Sequence, residues 1–495
     1  MAAIITENYR KSLAKLLDEN LQDSINNYYI GIGKSDEWYE DLSGGLSAPF
    51  PQGTTGDSLN LLGNLTDLIK MSFADYSRVI PNVNPTTVAS YYKKFDPYDA
   101  SCLYPSTIGG LSYKPAYFIE PSSGNVFLVL DAPTTATTLA VTSSDPIPYT
   151  FFLNGNTGDG AVEMITTTSG YTIVCIGNID PNSKFNNSQF VGVEEDLNTS
   201  GTLKYKGVVY GFHVANGGVY SGDGTSVAGT VTVYESGSTV MTYAAPLQIP
   251  VLCTIFEGKI TSVRPTSAYY SDLATNASTL SGFSFKKPTA KIAITAEGIT
   301  QTTEATIYPN VSNTNGFKYD MTEYTPAWYV CFLANTNVSS QDVYTKYSQV
   351  SLIRNPTLDG ALSILNVAFQ NMKKSFTLAG YTASSIDETY SIVQKNGSGQ
   401  IVKRLGTVDS YKQNGDDVVI YYTNSAKHGF DKPLTTSGNT IVFVSSTGVE
   451  TATSIVPSSP STPTVNTADV LFIDNRATIN RSADQNEELK IIIQL

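Results

Sequence analysis

The run Asn125-Val126-Phe127-Leu128-Val129-Leu130-Asp131-Ala132-Pro133 sets the fold class. Its five successive apolar residues are too few for an ordinary globular helix, and Pro133 closes the run. With no polar alternation, it predicts a strand buried on both faces. The same texture continues outward through residues 134–320. Short apolar runs at 172–176, 208–214, 227–233, 247–256 and 292–294 are mostly separated by clusters of Gly, Asn, Asp or Ser. That pattern predicts a mainly β, multi-domain β-sandwich architecture with a few peripheral helices and β-rich insertions. No fixed-period repeat runs through it.

Further strands are expected at 28–33, where Gly31 and Gly33 mark close backbone packing, and at 328–333, 349–353, 418–422, 441–444, 471–473 and 489–495. Three helices are expected. Thr6 caps the first, with Tyr9, Leu13, Leu16, Leu17 and Leu21 on one face and Asn26 and Asn27 at its end. The second covers 59–77, with Leu62, Leu65, Ile69 and Phe73 as its buried stripe. The third carries Leu358, Leu362, Leu365, Phe369 and Met372, with Lys373 and Lys374 at its C-terminal end. Pro457, Pro460 and Pro463, among Ser and Thr, predict an exposed connector.

The 495 residues suggest about three domains at roughly 150 residues each. The expected division is a core of 1–133, 321–374 and 466–495, an inserted β domain of 134–320, and a second β-rich insertion of 375–465. Lys plus Arg number 31 and Asp plus Glu 44, a net charge of −13, which argues against a nucleic-acid partner. The chain is rich in Tyr (31) and poor in charge (15%), which suits strands and polar-rimmed contact surfaces. Cys102, Cys175, Cys253 and Cys331 form no C-x-x-C pair and predict buried thiols matured in a reducing compartment. No basic-then-apolar leader and no apolar run of membrane length stand out, so neither export nor membrane insertion is expected.

Motifs for chemistry fail on their own requirements. Gly33-Lys34-Ser35 ends like a phosphate-binding loop, but Tyr28 stands where the opening glycine is needed. Asp36 occupies the third glycine position of a dinucleotide fingerprint. Asn154, Asn156, Asp159 and Glu163 hint at a calcium loop, yet Asp159 and Ile165 replace the required glycine and glutamate. Ser226 misses a serine elbow at its second glycine, and Glu194-Glu195-Asp196 reads as a solvated face. Of the two histidines, His213 in an apolar strand reads as a satisfied core residue and His428 as a turn residue. No catalytic residue, metal ligand or cofactor site is expected.

Two stretches carry a family signature. The first is Ile30-Gly31-Ile32-Gly33-Lys34-Ser35-Asp36-Glu37-Trp38 followed by Ala48-Pro49-Phe50-Pro51. The second is Asp474-Asn475-Arg476 followed by Asp484-Gln485-Asn486-Glu487-Glu488-Leu489-Lys490-Ile491. Together they resemble the start and end of the baseplate wedge subunit (gene product 8 type) of T-even-like, contractile-tailed bacteriophages. Phe127 to Pro133 and Gln349 to Pro356 add weaker matches. Lys34 stands where that family has arginine, and Ala477 where it has proline.

The resemblance implies a mainly β virion subunit that dimerises and sits among other wedge proteins of the tail baseplate. Its work would be baseplate assembly and the relay of host attachment to sheath contraction, without enzymatic activity. Gly33, Lys34, Ser35, Trp38, Pro49, Pro51, Asn475, Arg476, Asp484, Glu487 and Glu488 become candidate structural or interface residues. Trp38 suits an anchor, Arg476 suits a bidentate carboxylate, and 484–488 suit a capped polar turn. The alternatives are a virion-associated polysaccharide depolymerase, whose paired carboxylates would meet only in three dimensions, and a receptor-binding tail protein.

Overall fold

The run at 125–131 forms the strand Asn125–Asp131, buried at every position. The computed structural model describes residues 6–23, 25–33, 39–40, 46–47, 61–84, 90–120, 124–133, 137–139, 164–193, 207–235, 247–275, 288–313, 316–317, 320–336, 347–361, 363–383, 386–387, 390–423, 432–479 and 487–495. These residues are mainly β. The chain divides into two compact units. One comprises Met1–Ala14, Ser77–Cys331 and Ile493–Leu495; the other comprises Lys15–Tyr76 and Phe332–Ile492.

In the first unit, Asn125–Asp131 lies in a four-stranded sheet. Its order is Met164–Thr166, Thr172–Asn178, Asn125–Asp131, Tyr117–Ile119. The absence of polar alternation has a direct cause. Val126, Leu128 and Leu130 point into one apolar cluster, while Phe127 and Val129 point into another. The neighbouring strand does the same, with Val174 and Ile176 in the first cluster and Ile173 and Cys175 in the second. Side chains alternate across a strand, so a sheet with a core on each face reads as an unbroken apolar run.

The first of these clusters continues into a six-stranded antiparallel sheet. Its order is Val209–Asn216, Thr306–Val311, Pro288–Ile294, Gly224–Glu235, Leu247–Phe256, Lys259–Pro265. It takes in Ile80, Phe95 and Leu103 together with Val231, Ile249, Val263 and the fully buried Trp328. Residues 77–133 and 207–328 thus share one core, and the unit bounds differ from the expected cut at 133/134. A buried ion pair reinforces this continuity. Arg264 Nη2 donates to Asp131 Oδ2 at 2.6 Å, and its Nε reaches Oδ1 at 3.1 Å. Burial pushes the Asp131 carboxyl above the usual range, and the Arg264 charge only partly opposes it.

The second unit holds two larger sheets among the described residues. A five-stranded sheet has the order Phe369–Asn371, Leu65–Met71, Tyr28–Gly33, Tyr347–Leu358, Val465–Ile479. A seven-stranded antiparallel sheet runs Glu450–Ala452, Thr440–Val444, Ser391–Lys395, Ile401–Asn414, Asp417–Thr423, Lys374–Leu378, Ser458–Ser461. Each has its own core, the first around Tyr29, Leu68 and Ile353, the second around Phe376, Ile420 and Phe443.

The first expected helix forms as Glu7–Gln22, and Thr6 Oγ1 accepts from Tyr9 N at 3.4 Å. Its buried face is not the expected one. Ala14 and Asp18 are buried, whereas Tyr9 and Leu16 are more than half exposed. The Tyr76 hydroxyl donates to the Asp18 carboxylate, which explains a charged residue at that position.

The other two expected helices are corrected to strands. Of 59–77, only 61–64 and a 3-10 turn at Phe73–Asp75 are helical among the described residues, and Leu65–Met71 is a strand. Its buried residues satisfy a helical spacing by coincidence, because a strand covered on both faces loses its period of two. The third expected helix is broken by chain geometry. Pro356 lacks an amide donor, and Gly360 takes φ +78°, a left-handed turn. Leu365 N then donates to Pro356 O at 2.7 Å, and the chain returns as the short strand Phe369–Asn371. The Pro457–Pro463 connector is exposed as expected around Pro460, but Ser458–Ser461 pairs as an edge strand with Lys374–Leu378.

Candidate functional site: the sheet that joins the two motif stretches

The strand Tyr28–Gly33 comes from the first motif stretch, and Val465–Ile479 contains Asp474-Asn475-Arg476 from the second. Both pair antiparallel with Tyr347–Leu358, which lies between them. Two polar rungs cross all three strands. At one end Gly33 pairs with Gln349, which pairs with Asn475. Gln349 Nε2 donates to Asn475 Oδ1 at 2.6 Å. At the other end Tyr28 pairs with Arg354, which pairs with Asp469. Arg354 donates from Nε and Nη2 to Asp469 Oδ2 at 3.0 and 2.8 Å, and also to the Tyr28 hydroxyl. Burial raises the Tyr28 hydroxyl above its ordinary pKa, and the bond from Arg354 opposes this.

Between the rungs the buried side chains are mostly apolar, and two buried hydroxyls stand out, Ser351 and, on the neighbouring strand Leu65–Met71, Thr66. Ser351 is fully buried, and its hydroxyl donates to Gly31 O at 3.2 Å. Thr66 sits at a bulge where the pairing slips between Ile32 and Gly33, and its hydroxyl donates to Ile32 O at 3.1 Å. The glycines are explained by crowding. A Cβ on Gly33 would stand 2.7 Å from Asn64 O, and one on Gly31 would stand 2.5 Å from Ser351 Oγ. The Gly31-x-Gly33 spacing therefore serves close strand packing, as the sequence predicts, with Gly33 inside a strand.

Entry to this sheet is fixed by Asn355, at φ +52°. Its Oδ1 accepts from Asn27 N at 2.8 Å, its Nδ2 donates to Asn26 Oδ1 at 3.0 Å, and its N donates to Asn27 O at 2.8 Å. Asparagine tolerates the left-handed region better than most residues, and the Asn-Pro step after Arg354 was the available signal.

Arg476 finds its carboxylate within its own motif. Both Nε and Nη2 donate to Asp474 Oδ2, the former at 3.0 Å, on the protein surface. Glu488 pairs with Lys490 Nζ at 2.8 Å, and Glu487 opens the strand Glu487–Gln494. Lys34, Ser35, Trp38, Pro49, Pro51 and Asp484 lie outside the described residues. So do the calcium-loop positions Asn154, Asn156, Asp159 and Glu163, the acidic run 194–196, and His428. Ser226 is exposed within the strand Gly224–Glu235.

No protein-family model matches the chain, and no curated protein matches it. Its chemistry must therefore be read from its own geometry. All four cysteines are buried thiols. Burial pushes those of Cys102 and Cys253 up to about 12, which suppresses thiolate reactivity. Among the described residues no group of three or more His, Cys, Asp or Glu could hold a metal ion. No helix of the described residues is long and apolar enough to cross a membrane.

Among the described residues, two of the cavities each lie within a single unit. One in the first unit, of about 450 Å³, is lined largely by Pro81, Pro105, Pro115, Pro326, Tyr104 and Tyr329. Its one charged liner is Lys114, which donates to Asn84 O at 2.8 Å, so it presents no acid–base pair. The other, in the second unit, is water-sized at about 10 Å³ and is lined by Gly63, Thr66, Lys374, Asp409 and Tyr422 among others.

Lys373 and Lys374, expected at a helix end, are instead buried. Lys374 Nζ donates to Gly63 O at 2.7 Å, and burial pulls its ammonium down to about 8. Sequence reading missed Gln349, Ser351, Thr66 and Lys374 as framework residues. Polar side chains in apolar runs were the signal, but such residues are more often exposed.

Proposed function

We propose that this chain is a structural subunit of a contractile-tail baseplate wedge, acting by holding neighbours in baseplate assembly and in the relay of attachment to sheath contraction. One observation carries the reading. Strands that carry part of each of the two motif stretches, which resemble the start and end of that family and lie more than 400 positions apart, flank one central strand, with Gly33 and Asn475 of the stretches paired through Gln349 and the adjoining Tyr28 and Asp469 paired through Arg354. Polar groups that bond across three strands fix register, and a fixed register suits a framework part. The partners are a second copy of the chain and other wedge proteins of the same tail. The exposed Arg476 is the motif residue best placed to exchange its intramolecular carboxylate for a partner's.

Sedimentation velocity of the purified chain, alone and mixed with co-expressed baseplate proteins, tests this reading. It predicts a dimer at micromolar concentration and a larger species in the mixture. A strict monomer that joins no baseplate protein contradicts it, as does release of reducing ends from capsule or lipopolysaccharide.

A further inference from the structure

His213, read from sequence as a core histidine, instead belongs to a partly exposed aromatic group in the first unit. It pairs in register with Tyr308 on the adjacent strand, the two rings 6.4 Å apart and 8° from parallel. Tyr98 lies against both, 5.3 Å from His213 and 5.5 Å from Tyr308, at 33° to each. The side chain of His213 is 25% exposed, Tyr308 is 38% exposed and Tyr98 is 51% exposed.

Asp96 holds the group in place with both carboxylate oxygens. Oδ1 accepts from Tyr98 N at 3.0 Å, and Oδ2 lies 2.8 Å from His213 Nδ1. In the neutral imidazole this commits the proton to Nδ1 and leaves Nε2 as an acceptor. Nε2 has no partner among the described residues. Asn310, two positions along from Tyr308 and so on the same strand face, is fully buried, and neither of its amide atoms has a partner among the described residues. A buried amide without a partner costs stability, and such groups concentrate where a site needs polar capacity.

We infer that this patch is a carbohydrate-binding site that takes a neutral pyranose stacked on Tyr98 and Tyr308. His213 and Tyr308 are close to parallel and Tyr98 is tilted by 33° to each, so the exposed rings form a shallow platform. A box of converging faces, which would suit a quaternary ammonium, is absent. A pyranose offers a matching flat C–H face, and its hydroxyl edge matches the free imidazole acceptor. Tyrosines fixed by a carboxylate-bonded turn lose little freedom on binding, which favours a weak, specific contact of this kind.

The test uses the full chain on an array of neutral hexose and N-acetylhexosamine oligosaccharides. Saturation-transfer NMR follows on any binder, with choline as the cationic probe. Tyr98→Ala and Tyr308→Ala are compared with Tyr411→Ala, which removes a ring of similar exposure on a strand of the other unit. The inference expects an array binder whose affinity falls about tenfold or more in the first two variants, a difference of about 1.4 kcal/mol, and is unchanged in the third. Tyr98→Ala decides the matter if Tyr308→Ala does not fold, because Tyr98 sits in an exposed turn. No binder on the array overturns the inference, as does binding that survives Tyr98→Ala, or binding of choline without any sugar.

Discussion

The two units bury their sheets by different means. The first is built mainly on apolar volume, with the Arg264–Asp131 ion pair buried within it. Asn125–Asp131 and Thr172–Asn178 feed separate cores on their two faces, and Trp328, Tyr210 and Phe317 are among its largest fully buried side chains. The five-stranded sheet of the second unit buries Thr66, Asp67, Gln349 and Ser351, and its strands come from four widely separated parts of the chain. Apolar volume specifies that segments will be inside, but it tolerates repacking. Hydrogen-bonded polar groups tolerate less, because a slip of register leaves them buried without partners. The second arrangement suits a sheet that must close correctly between distant strands.

Five substitutions sharpen or break this contrast. The largest effect is expected for Arg264→Leu in the first unit, which strands the buried Asp131 carboxylate. Chemical denaturation should show a loss of about 3–5 kcal/mol, with faster hydrogen exchange in residues 77–331. An effect below about 1 kcal/mol would mean that apolar volume alone holds that unit.

Next is the pH response of two desolvated lysines, Lys11 in the first unit and Lys374 in the second. Lys11 donates to Glu323 O at 2.6 Å and stands 5.9 Å from the Trp328 ring centroid, and burial pulls it to about 8 against the pull of Glu323. Lys374 has the same value for the same cause. Each of these two lysines holds its proton more tightly in the unfolded chain, so their contribution to stability rises with pH from about 8 to 10.5, and above about 9 the buried Cys102 and Cys253 thiols oppose that rise. The limit for each lysine is about 3 kcal/mol. Above pH 10 the trend reverses, because buried tyrosines such as Tyr92 and Tyr210 hold their protons longer when folded. Lys374→Met should remove roughly half of the rise, read from denaturation midpoints at pH 7, 8 and 9.5. An unchanged slope would place the titration elsewhere.

Gly33→Ala drives a Cβ to 2.7 Å from the Asn64 carbonyl and should cost about 1–3 kcal/mol. Gly31→Ala should cost less, because the crowding atoms are the ends of Ser351, Leu65 and Ile353 side chains. Equal costs would show that the rung at Gly33 is not specially constrained. The smallest effect belongs to Asp474→Ala, whose exposed pair with Arg476 should contribute less than about 1 kcal/mol to thermal stability. In the proposed assembly the same substitution should alter partner binding more than melting.

The contrast also explains what could be read from sequence. Strands of the first unit such as Asn125–Asp131 were legible because two-sided burial leaves unbroken apolar runs. In the second unit, Leu65–Met71 and Phe369–Asn371 were taken for helices, since mixed polar and apolar residues between paired neighbours mimic a helical stripe. The glycines of Tyr28–Gly33 and the register-setting Asn355 were marked by residue type. The rung partners Gln349 and Asn475 were not visible as a pair, because nothing local couples positions 126 residues apart.

Electron cryomicroscopy of a contractile phage tail proposed to contain this chain tests the central claim most directly. The account predicts paired copies in the tail baseplate, with the Tyr28–Gly33, Tyr347–Leu358 and Val465–Ile479 strands forming one sheet in each copy. A baseplate lacking the chain, or a chain in which those three strands are apart, would contradict it.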